Sequence, residues 1–406
     1  MRDTAMNPQS DMDCNEHFLS KPQPVCARQA MNSVARSLIY FLLAGADAAL
    51  PGSPKAGVPV PVRDLAWIRP SGDKRHFVRD GTNERFVAWG FNYDRDDAGR
   101  LLEDYWTDEW DTVAQDFREM KAFGANVVRV HLQLACFMKS SEEADEKNLA
   151  RLSKLVQLAD QTGLYLDVTG LGCYRKEDVP AWYDALKESA RWEVQARFWR
   201  AVAAVCKDSP VIFCYDLMNE PVASGDRKGD WLPGQPLDGK YYVQRLTTDM
   251  HGRNEKEIAR AWIAKLAAAI RSVDARHLLT VGVIPWEQVF KGAKPVFYAP
   301  DVCASLDFVS VHLYPKEGKL EDDLSVLKVY DIGKPLVLEE IFPLSASSAT
   351  TEAFMERSQA HADGWMSFYW GKTPEEYEKQ QGVKAGLIGS WLRRFNGMAA
   401  RFAVKP

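Results

Sequence analysis

Apolar runs and amphipathic stretches alternate along most of the chain. Eight short runs have the length and composition of buried strands. They are residues 86–93, 126–132, 164–170, 211–218, 278–284, 308–314, 336–341 and 365–370. Between them, segments such as 110–123, 149–162, 191–206 and 255–273 carry apolar residues at helical spacing. Gly124 and Gly163 end two of these segments, as C-cap glycines do.

This alternation predicts the fold class. Nearly continuous apolar strands joined by helices indicate a parallel sheet that is covered on both faces. Eight repeats over about 290 residues favour a closed α/β barrel, the (β/α)8 or TIM barrel. An open doubly wound sheet would need a glycine-rich phosphate turn after the first strand, and GFNYD at residues 90–94 is not one. A short hairpin around Asp80-Gly81 is predicted before the barrel.

The first 61 residues lack this rhythm and are predicted to be a leader. A short basic segment, an apolar run and a small-x-small end together resemble a secretory signal peptide over residues 31–48, starting at an internal methionine. The proline-rich stretch 51–61 indicates an extended linker, so a single folded domain is expected over 62–406. We expect a secreted or periplasmic protein, with a cytoplasmic one as the alternative. The apolar run is too short for a stable membrane span, which takes ~20 residues.

Composition and motif content exclude several function classes. The 406 residues carry 51 Lys and Arg against 56 Asp and Glu, a net charge of −5, which argues against a nucleic-acid binder. The seven cysteines form no C-x-x-C pair and no zinc-finger cluster. The sequence also lacks a phosphate-binding loop, an H-E-x-x-H motif, a G-x-S-x-G elbow and a dinucleotide-binding glycine motif after a strand. No metal or nucleotide cofactor is therefore implied.

Two of the apolar runs end on carboxylates. Asn219-Glu220 follows the fourth run, and Glu339-Glu340 lies near the end of the seventh. Active sites of (β/α)8 barrels lie at the C-terminal ends of the strands, and a carboxylate buried there without a use or a partner is costly. Two facing carboxylates are what glycoside hydrolysis needs, one as a proton donor with a raised pKa and one as an ionised nucleophile.

Further polar residues at strand ends complete a pattern. Arg129 ends the second run, Asn219-Glu220-Pro221 follows the fourth, His312-x-Tyr314 ends the sixth and Glu340 ends the seventh. Together these motifs resemble glycoside hydrolase family 5, the cellulase and mannanase group of the clan A barrels, over about residues 86–371. The resemblance implies a retaining glycosidase that cleaves a β-linked saccharide or glycoside through a covalent glycosyl-enzyme.

The same resemblance assigns roles to these residues. Glu220 is expected to be the general acid/base and Glu340 the nucleophile, while Asn219 would hold the sugar 2-hydroxyl. Arg129 and Tyr314 are expected beside the nucleophile, where a guanidinium favours the ionised carboxylate. His312 is expected close to the acid/base and the substrate. Retention would place the two carboxyl groups about 5–5.5 Å apart.

The seventh strand poses a question of register. Neighbouring residues on a strand point to opposite faces, so only one of Glu339 and Glu340 is expected to enter the barrel. The family pattern, in which the nucleophile precedes an apolar or aromatic residue, selects Glu340. Asp216 is expected to share the face of Glu220 and to lie deeper, as a buried structural carboxylate.

The aromatic residues near other strand ends are candidates for stacking on sugar rings. Phe368 aligns with the platform tryptophan of the family, and Trp370, on the same face, is expected to take over that role. Trp182 and Trp286 are further candidates, as is Trp231 in the long segment 222–254, which is predicted to be a lid or binding loop. The third strand lacks the histidine of many family members, so the substrate is less defined than the reaction.

Two alternatives to a hydrolase stay open. One is a non-catalytic carbohydrate-binding barrel, although two strand-end glutamates then have no chemical purpose. The other is a transglycosylase, which uses the same residues with a different acceptor. The expected protein is a monomer that binds a saccharide or glycoside and has no nucleic-acid partner.

Overall fold

The structure is a computed structural model that describes residues 65–290 and 292–403. The predicted leader, signal peptide and linker lie outside these residues. Nine parallel strand segments form one sheet, and two of the segments belong to a single interrupted strand. The eight strands are β1 (Ala88–Tyr93), β2 (Val127–Gln133), β3 (Tyr165–Gly172), β4 (Ile212–Asp216), β5 (Leu278–Thr280 and Gly282–Val283), β6 (Val309–His312), β7 (Leu336–Ile341) and β8 (Gly364–Ser367).

Hydrogen bonds close these strands into a ring. Strand β8 pairs with β1, and the two halves of β5, on either side of Val281, pair with β4 and β6 respectively. The predicted (β/α)8 barrel is therefore confirmed. The predicted strand bounds agree with the observed ones to within a few residues, and those of β7 coincide.

Seven long helices surround the barrel in the described part of the chain. They are α1 (Trp110–Ala122), α2 (Glu146–Thr162), α3 (Glu188–Cys206), α4 (Glu255–Arg271), α5 (Leu320–Val329), α6 (Ser348–Ser358) and α7 (Val383–Ala403). Shorter helices lie at Leu102–Tyr105, Leu134–Phe137, Ala181–Asp184 and Pro374–Lys379, and 3-10 turns at Lys176–Asp178, Trp286–Gln288 and Cys303–Ser305. The connection after β5 thus contains 3-10 turns where the repeat predicts an α-helix.

Local sequence explains where the helices begin and end. The side chains of Asp145 and Asn254 accept hydrogen bonds from the free N–H groups of the first turns of α2 and α4. Gly163 ends α2 in the left-handed conformation, with φ +69°, as its position predicts. No helix in the part of the chain that the structure describes is long and apolar enough to span a bilayer.

A small antiparallel sheet closes the N-terminal end of the barrel. Its strands are Ile68–Pro70, Phe77–Arg79 and Arg85–Phe86, so the predicted hairpin is present and gains a third strand. Side chains of this sheet and of the first residues of the barrel strands form one buried apolar cluster, which includes Phe77, Phe86, Val127, Tyr165, Phe213, Phe308, Val337 and Met366.

A polar layer lies above this cluster, towards the C-terminal ends of the strands. Arg129, Asp167, Asp216, Ser310 and Glu339 are all fully buried there. The large majority of buried polar groups in proteins are hydrogen-bonded to another group or to ordered water. The barrel interior is therefore apolar at the N-terminal ends of the strands and charged further along them.

Close approach of β1 and β2 in the barrel depends on a glycine. A Cβ atom added at Gly90 would lie 1.7 Å from the backbone oxygen of Val127. We expect Gly90→Ala to lower the free energy of unfolding by about 3 kcal/mol or more, because neither strand can move away without breaking the ladder. Urea denaturation measures the loss.

The matched control for this substitution is Gly386→Ala in α7. Nothing lies within 4 Å of a Cβ added at Gly386, so this variant should gain about 0.5–1 kcal/mol from helix propensity. Equal stabilities of the two variants would contradict the proposed packing constraint.

Candidate active site

A cavity of about 210 Å³ opens at the C-terminal ends of the barrel strands. Glu220, which follows β4, and Glu340, near the end of β7, both line it. One carboxylate oxygen of Glu220 lies within 4.8 Å of one of Glu340. The two strand-end carboxylates therefore face the same space.

Glu340 is held by two donors. The Nη1 atom of Arg129 donates to its Oε1 over 2.7 Å, and the hydroxyl of Tyr314 donates to its Oε2 over 2.6 Å. Its side chain is 7% exposed. The two charge-assisted or hydroxyl donors fix the orientation of the carboxylate, which suits a nucleophile.

Arg129 extends across the barrel and connects Glu340 with Asn219, the neighbour of Glu220. Its side chain also donates to Thr169, Asn92, Asp216 and Asn219 over 2.8–2.9 Å. Burial by itself would lower the pKa of Arg129, but the surrounding carboxylates outweigh it and hold the pKa well above the usual range. One charged side chain thus positions Glu340 directly and Glu220 through its neighbour Asn219.

Glu220 has a different environment. Its backbone is in the left-handed region, with φ +48°, and its N–H donates to the carbonyl of Gly282 over 2.9 Å. A non-glycine residue in this conformation is uncommon and is found most often at functional sites. Burial raises the pKa of Glu220 and the charge of Glu340 adds to the rise, while His312 opposes it. A raised pKa suits a proton donor.

His312 connects three glutamates. Its Nδ1 lies 2.9 Å from Glu220 and 3.5 Å from Glu340, and its Nε2 lies 3.1 Å from Glu339. Burial would lower the pKa of His312, but the glutamates raise it to about 10. The ring is therefore an imidazolium with both nitrogens protonated.

The cluster of Glu220, His312 and Glu340 also has the spacing of a cation site. We interpret the three side chains as a hydrogen-bonded cluster, because the Nδ1 of His312 lies 2.9 Å from the Glu220 carboxylate.

The expectation that only one of Glu339 and Glu340 enters the barrel is wrong. Both carboxylates lie near Arg129 and His312, and Glu339 is completely buried. The register of β6 and β7 shifts at this point, because Val311 pairs with Leu338 and His312 pairs with Glu340. Glu339 is the extra residue of a β-bulge, which re-aims Glu340 towards the cavity.

Glu339 has partners on neighbouring strands. The hydroxyl of Ser310 donates to its Oε1 over 3.0 Å, while Arg129 lies 3.5 Å from its Oε2. Burial would raise the pKa of Glu339, but Arg129 and His312 lower it to about 2. Glu339 is therefore a permanent anion beneath the site. The sequence indicated this residue only by placing it next to Glu340.

Two further carboxylates complete the layer. Asp216 accepts hydrogen bonds from Arg129, Thr169 and the N–H of Gly282, as befits the buried structural carboxylate expected at this position. Burial and the charge of Glu339 raise its pKa to about 6. The same two causes raise the pKa of Asp167 well above the usual range.

The aromatic candidates have different outcomes. Trp286 and Phe368 line the cavity. Trp370 does not, because it is fully buried with its ring against Phe91 and Phe123, so its predicted role as sugar platform is wrong. Trp182, which packs against Tyr183, and Trp231, which is 4% exposed, also lie outside the described lining of the cavity.

Two parts of the site were not among the predicted site residues. His131 is buried, lines the cavity, contacts the hydroxyl of Tyr174 and leaves its Nε2 without a partner. Burial and Arg129 lower its pKa, so the ring is neutral and able to bind a sugar hydroxyl. Its sequence signal was its place two residues beyond Arg129, on the same face of β2.

The segment 233–243 of the long loop also forms part of the cavity wall. The side-chain amide of Asn219 donates to the carbonyl of Tyr242 over 3.0 Å, and Arg95 donates to the Tyr242 hydroxyl over 3.1 Å. The loop is thereby connected to Asn219, beside Glu220, and to the end of β1.

Comparisons with known proteins identify the family of the chain. The family model described as Cellulase (glycosyl hydrolase family 5) matches residues 87–372. Mannan endo-1,4-beta-mannosidase A of Aspergillus aculeatus is 22% identical over 360 residues, which cover 76% of this chain and 84% of that enzyme.

Solved structures show the same fold. The exo-beta-1,4-mannosidase from Opitutaceae bacterium strain TAV5 has a TM-score of 0.60 at 17% identity, and the match covers 82% of this chain and 62% of that one. The endo-1,4-beta-mannanase from Rhizomucor miehei has a TM-score of 0.56 at 18% identity, over 83% and 100% of the two chains.

The charge of Glu339 should control the protonation of His312. Glu339→Gln keeps the volume and removes the anion beside Nε2, so the pKa of His312 should fall from about 10 by at least about one unit. NMR titration of labelled histidine measures this shift. Ser310→Ala is the control, because it removes a hydrogen bond to Glu339 but keeps its charge, and the pKa should stay high. An unchanged pKa in Glu339→Gln would refute the coupling.

Proposed function

Because the chain belongs to glycosyl hydrolase family 5 and is therefore a glycosidase that hydrolyses O-glycosyl bonds, we propose that it cleaves a β-mannoside with retention of configuration. One observation carries the proposal. Two carboxylates have oxygens within 4.8 Å of each other, and only Glu340 accepts hydrogen bonds from both Arg129 and Tyr314. The names of the relatives, an endo-mannanase and an exo-mannosidase among them, support mannose as the sugar.

The proposed first step is displacement of the leaving group. Glu340 attacks the anomeric carbon while Glu220 gives its proton to the glycosidic oxygen. The short separation favours this double displacement, because inverting enzymes keep their carboxyl groups about 6.5–9.5 Å apart to admit a water molecule. Glu220 then takes a proton from the water that releases the sugar from Glu340.

Neighbouring residues have supporting roles in this proposal. The Asn219 amide gives one N–H to Tyr242 and has a second N–H for the sugar 2-hydroxyl. His312 keeps the Glu220 carboxyl in place, and His131 offers its free Nε2 to another hydroxyl. Phe368 and Trp286 supply aromatic surface for the sugar ring.

Substitution of the two glutamates should separate their roles. Glu340→Ala should abolish turnover of every substrate, because no glycosyl-enzyme forms without it. Glu220→Ala should lose about 10²–10⁴-fold on substrates with poor leaving groups, yet largely keep the first step on an activated aryl β-mannoside. The glycosyl-enzyme then accumulates as a burst, which stopped-flow absorbance measures.

Azide provides the control for this experiment. It needs no general base, so it should restore turnover of Glu220→Ala and give a glycosyl azide of retained configuration. The configuration is read by proton NMR. Wild-type rates in both variants would refute the proposed hydrolase, and an inverted azide product from Glu220→Ala would refute the assigned roles.

We also propose that the chain is exported. The support is the basic, apolar and small-residue order of residues 31–48. N-terminal sequencing of the protein from the medium or periplasm of its host should begin near Ala49. A cytoplasmic chain that retains these residues would refute export.

A further inference from the structure

One of the polar residues that line the cavity is a buried lysine. Lys240 is 5% exposed, and its ammonium reaches the turn at Gly99, in the loop after β1. A Cβ added at Gly99 would lie 3.4 Å from the Nζ of Lys240. Within residues 65–290 and 292–403, no hydrogen bond or ion pair involves this Nζ. Buried charges in proteins are normally paired, so this ammonium is suited to a ligand.

The backbone holds Lys240 in place on both sides. Its N–H donates to the carbonyl of Leu237 over 3.0 Å, and its carbonyl accepts from the N–H of Leu237 over 2.8 Å. The two residues between them have φ values of +49° and +74°, as a two-residue hairpin turn requires. The N–H of Tyr241 then donates to the carbonyl of Tyr174 over 2.7 Å, beyond the end of β3. The ammonium therefore extends from a fixed point of the loop.

Other charged groups near Lys240 do not neutralise it. Arg95 is itself matched by Asp94, 2.9 Å away. Asp238 is exposed at the tip of the hairpin and forms no ion pair with Lys240 in the described structure. Burial lowers the pKa of Lys240, and the charge of Arg95 lowers it further. A second cavity lysine, Lys384 of α7, is half-buried and is likewise without an ion pair among the described residues.

A ligand that fills this part of the cavity removes water from the ammonium of Lys240. Hydrocarbon would leave the charge unpaired, which is costly. A hydroxyl would accept a hydrogen bond but would not neutralise the charge, whereas an oxyanion does both. Glu340 is not available for this purpose, because Arg129 and Tyr314 already donate to its two oxygens.

We infer that Lys240 binds an oxyanion of the substrate, so that the saccharide carries a carboxylate or a phosphate at C6 of one of the two sugars joined by the cleaved bond. The inference rests on the proposed function, which supplies the bond cleavage. C6 is the carbon outside the ring of a hexopyranose, so it carries either group without loss of the ring. Lys384 adds attraction for the same group, because a cleft lined by one sign of charge concentrates ligands of the other sign.

A set of β-1,4-linked disaccharides tests this inference. It consists of mannobiose, its two isomers with a C6 carboxylate on one ring or the other, and the two corresponding 6-phosphates. We expect kcat/KM for at least one acidic disaccharide to exceed that for mannobiose about tenfold or more, because the ammonium then makes a charge-assisted hydrogen bond to an anion. The difference should lie mainly in KM, because C6 takes no part in the reaction. Comparison of the carboxylates with the phosphates identifies the oxyanion.

Substitutions connect this preference to Lys240. Lys240→Met removes the charge and keeps most of the length, so the ratio of kcat/KM for the acidic disaccharide to that for mannobiose should fall about tenfold or more. Lys240→Arg keeps the charge and should retain most of the ratio. Lys228→Met is the matched control, because Lys228 is an exposed lysine of the same loop, outside the described cavity lining. It should leave the ratio unchanged. Thermal unfolding of each variant checks that the fold is retained.

The outcomes separate the inference from the proposed function. Turnover of mannobiose without preference for any acidic disaccharide, or a preference that survives in Lys240→Met, would overturn the inference and leave the proposed function intact. Turnover of none of the disaccharides and of no aryl β-mannoside would overturn the proposed function. Calorimetric binding of the same disaccharides to the full chain then decides the inference. Tighter binding of an acidic disaccharide that Lys240→Met abolishes supports an oxyanion site, and equal binding of the acidic and neutral disaccharides overturns it.

Discussion

The structure depends on one buried guanidinium. Arg129 has no exposed surface, yet it contacts Asp216, Glu339 and Glu340, and without it these three carboxylates would lose the buried cation that they share. Leaving a buried charge unpaired costs about 3–5 kcal/mol. The same side chain fixes the Glu340 carboxylate and Asn219, so the stability of the barrel and the geometry of its site have one physical origin.

The barrel makes room for this charge network at two places on its wall. A Cβ added at Gly282 would lie 2.3 Å from the Oε2 of Glu339 and 2.6 Å from the Nε2 of His312, so only glycine fits there. Strand β5 is interrupted next to this glycine, and β7 accommodates one extra residue at Glu339. Both irregularities lie beside the site, where bulges commonly re-aim a side chain.

Local sequence signals predicted most of this architecture, and non-local contacts account for the rest. Apolar runs, C-cap glycines and strand-end carboxylates depend on a few neighbouring residues, so the barrel and the positions of Glu220 and Glu340 were predictable. The bulge at Glu339 depends on how β7 pairs with β6. The alternation of inward and outward residues along β7 alone carries no information about that pairing. The predicted orientation of Trp370 was wrong for a related reason. Strand β8 ends at Ser367, so the alternation of side chains between two faces does not extend to residue 370.

Cavity shape and acid strength are linked at this site. Burial is the largest cause of the raised pKa of Glu220, and Glu220 lines a cavity that aliphatic side chains also line. Hydrocarbon in such a lining excludes water from the carboxyl, which strengthens every electrostatic interaction near it. A wider, wetter cavity would therefore bring the pKa of Glu220 back towards its ordinary value. The apolar part of the lining thus serves the proton donor as well as the shape of the site, and the two properties cannot be changed independently.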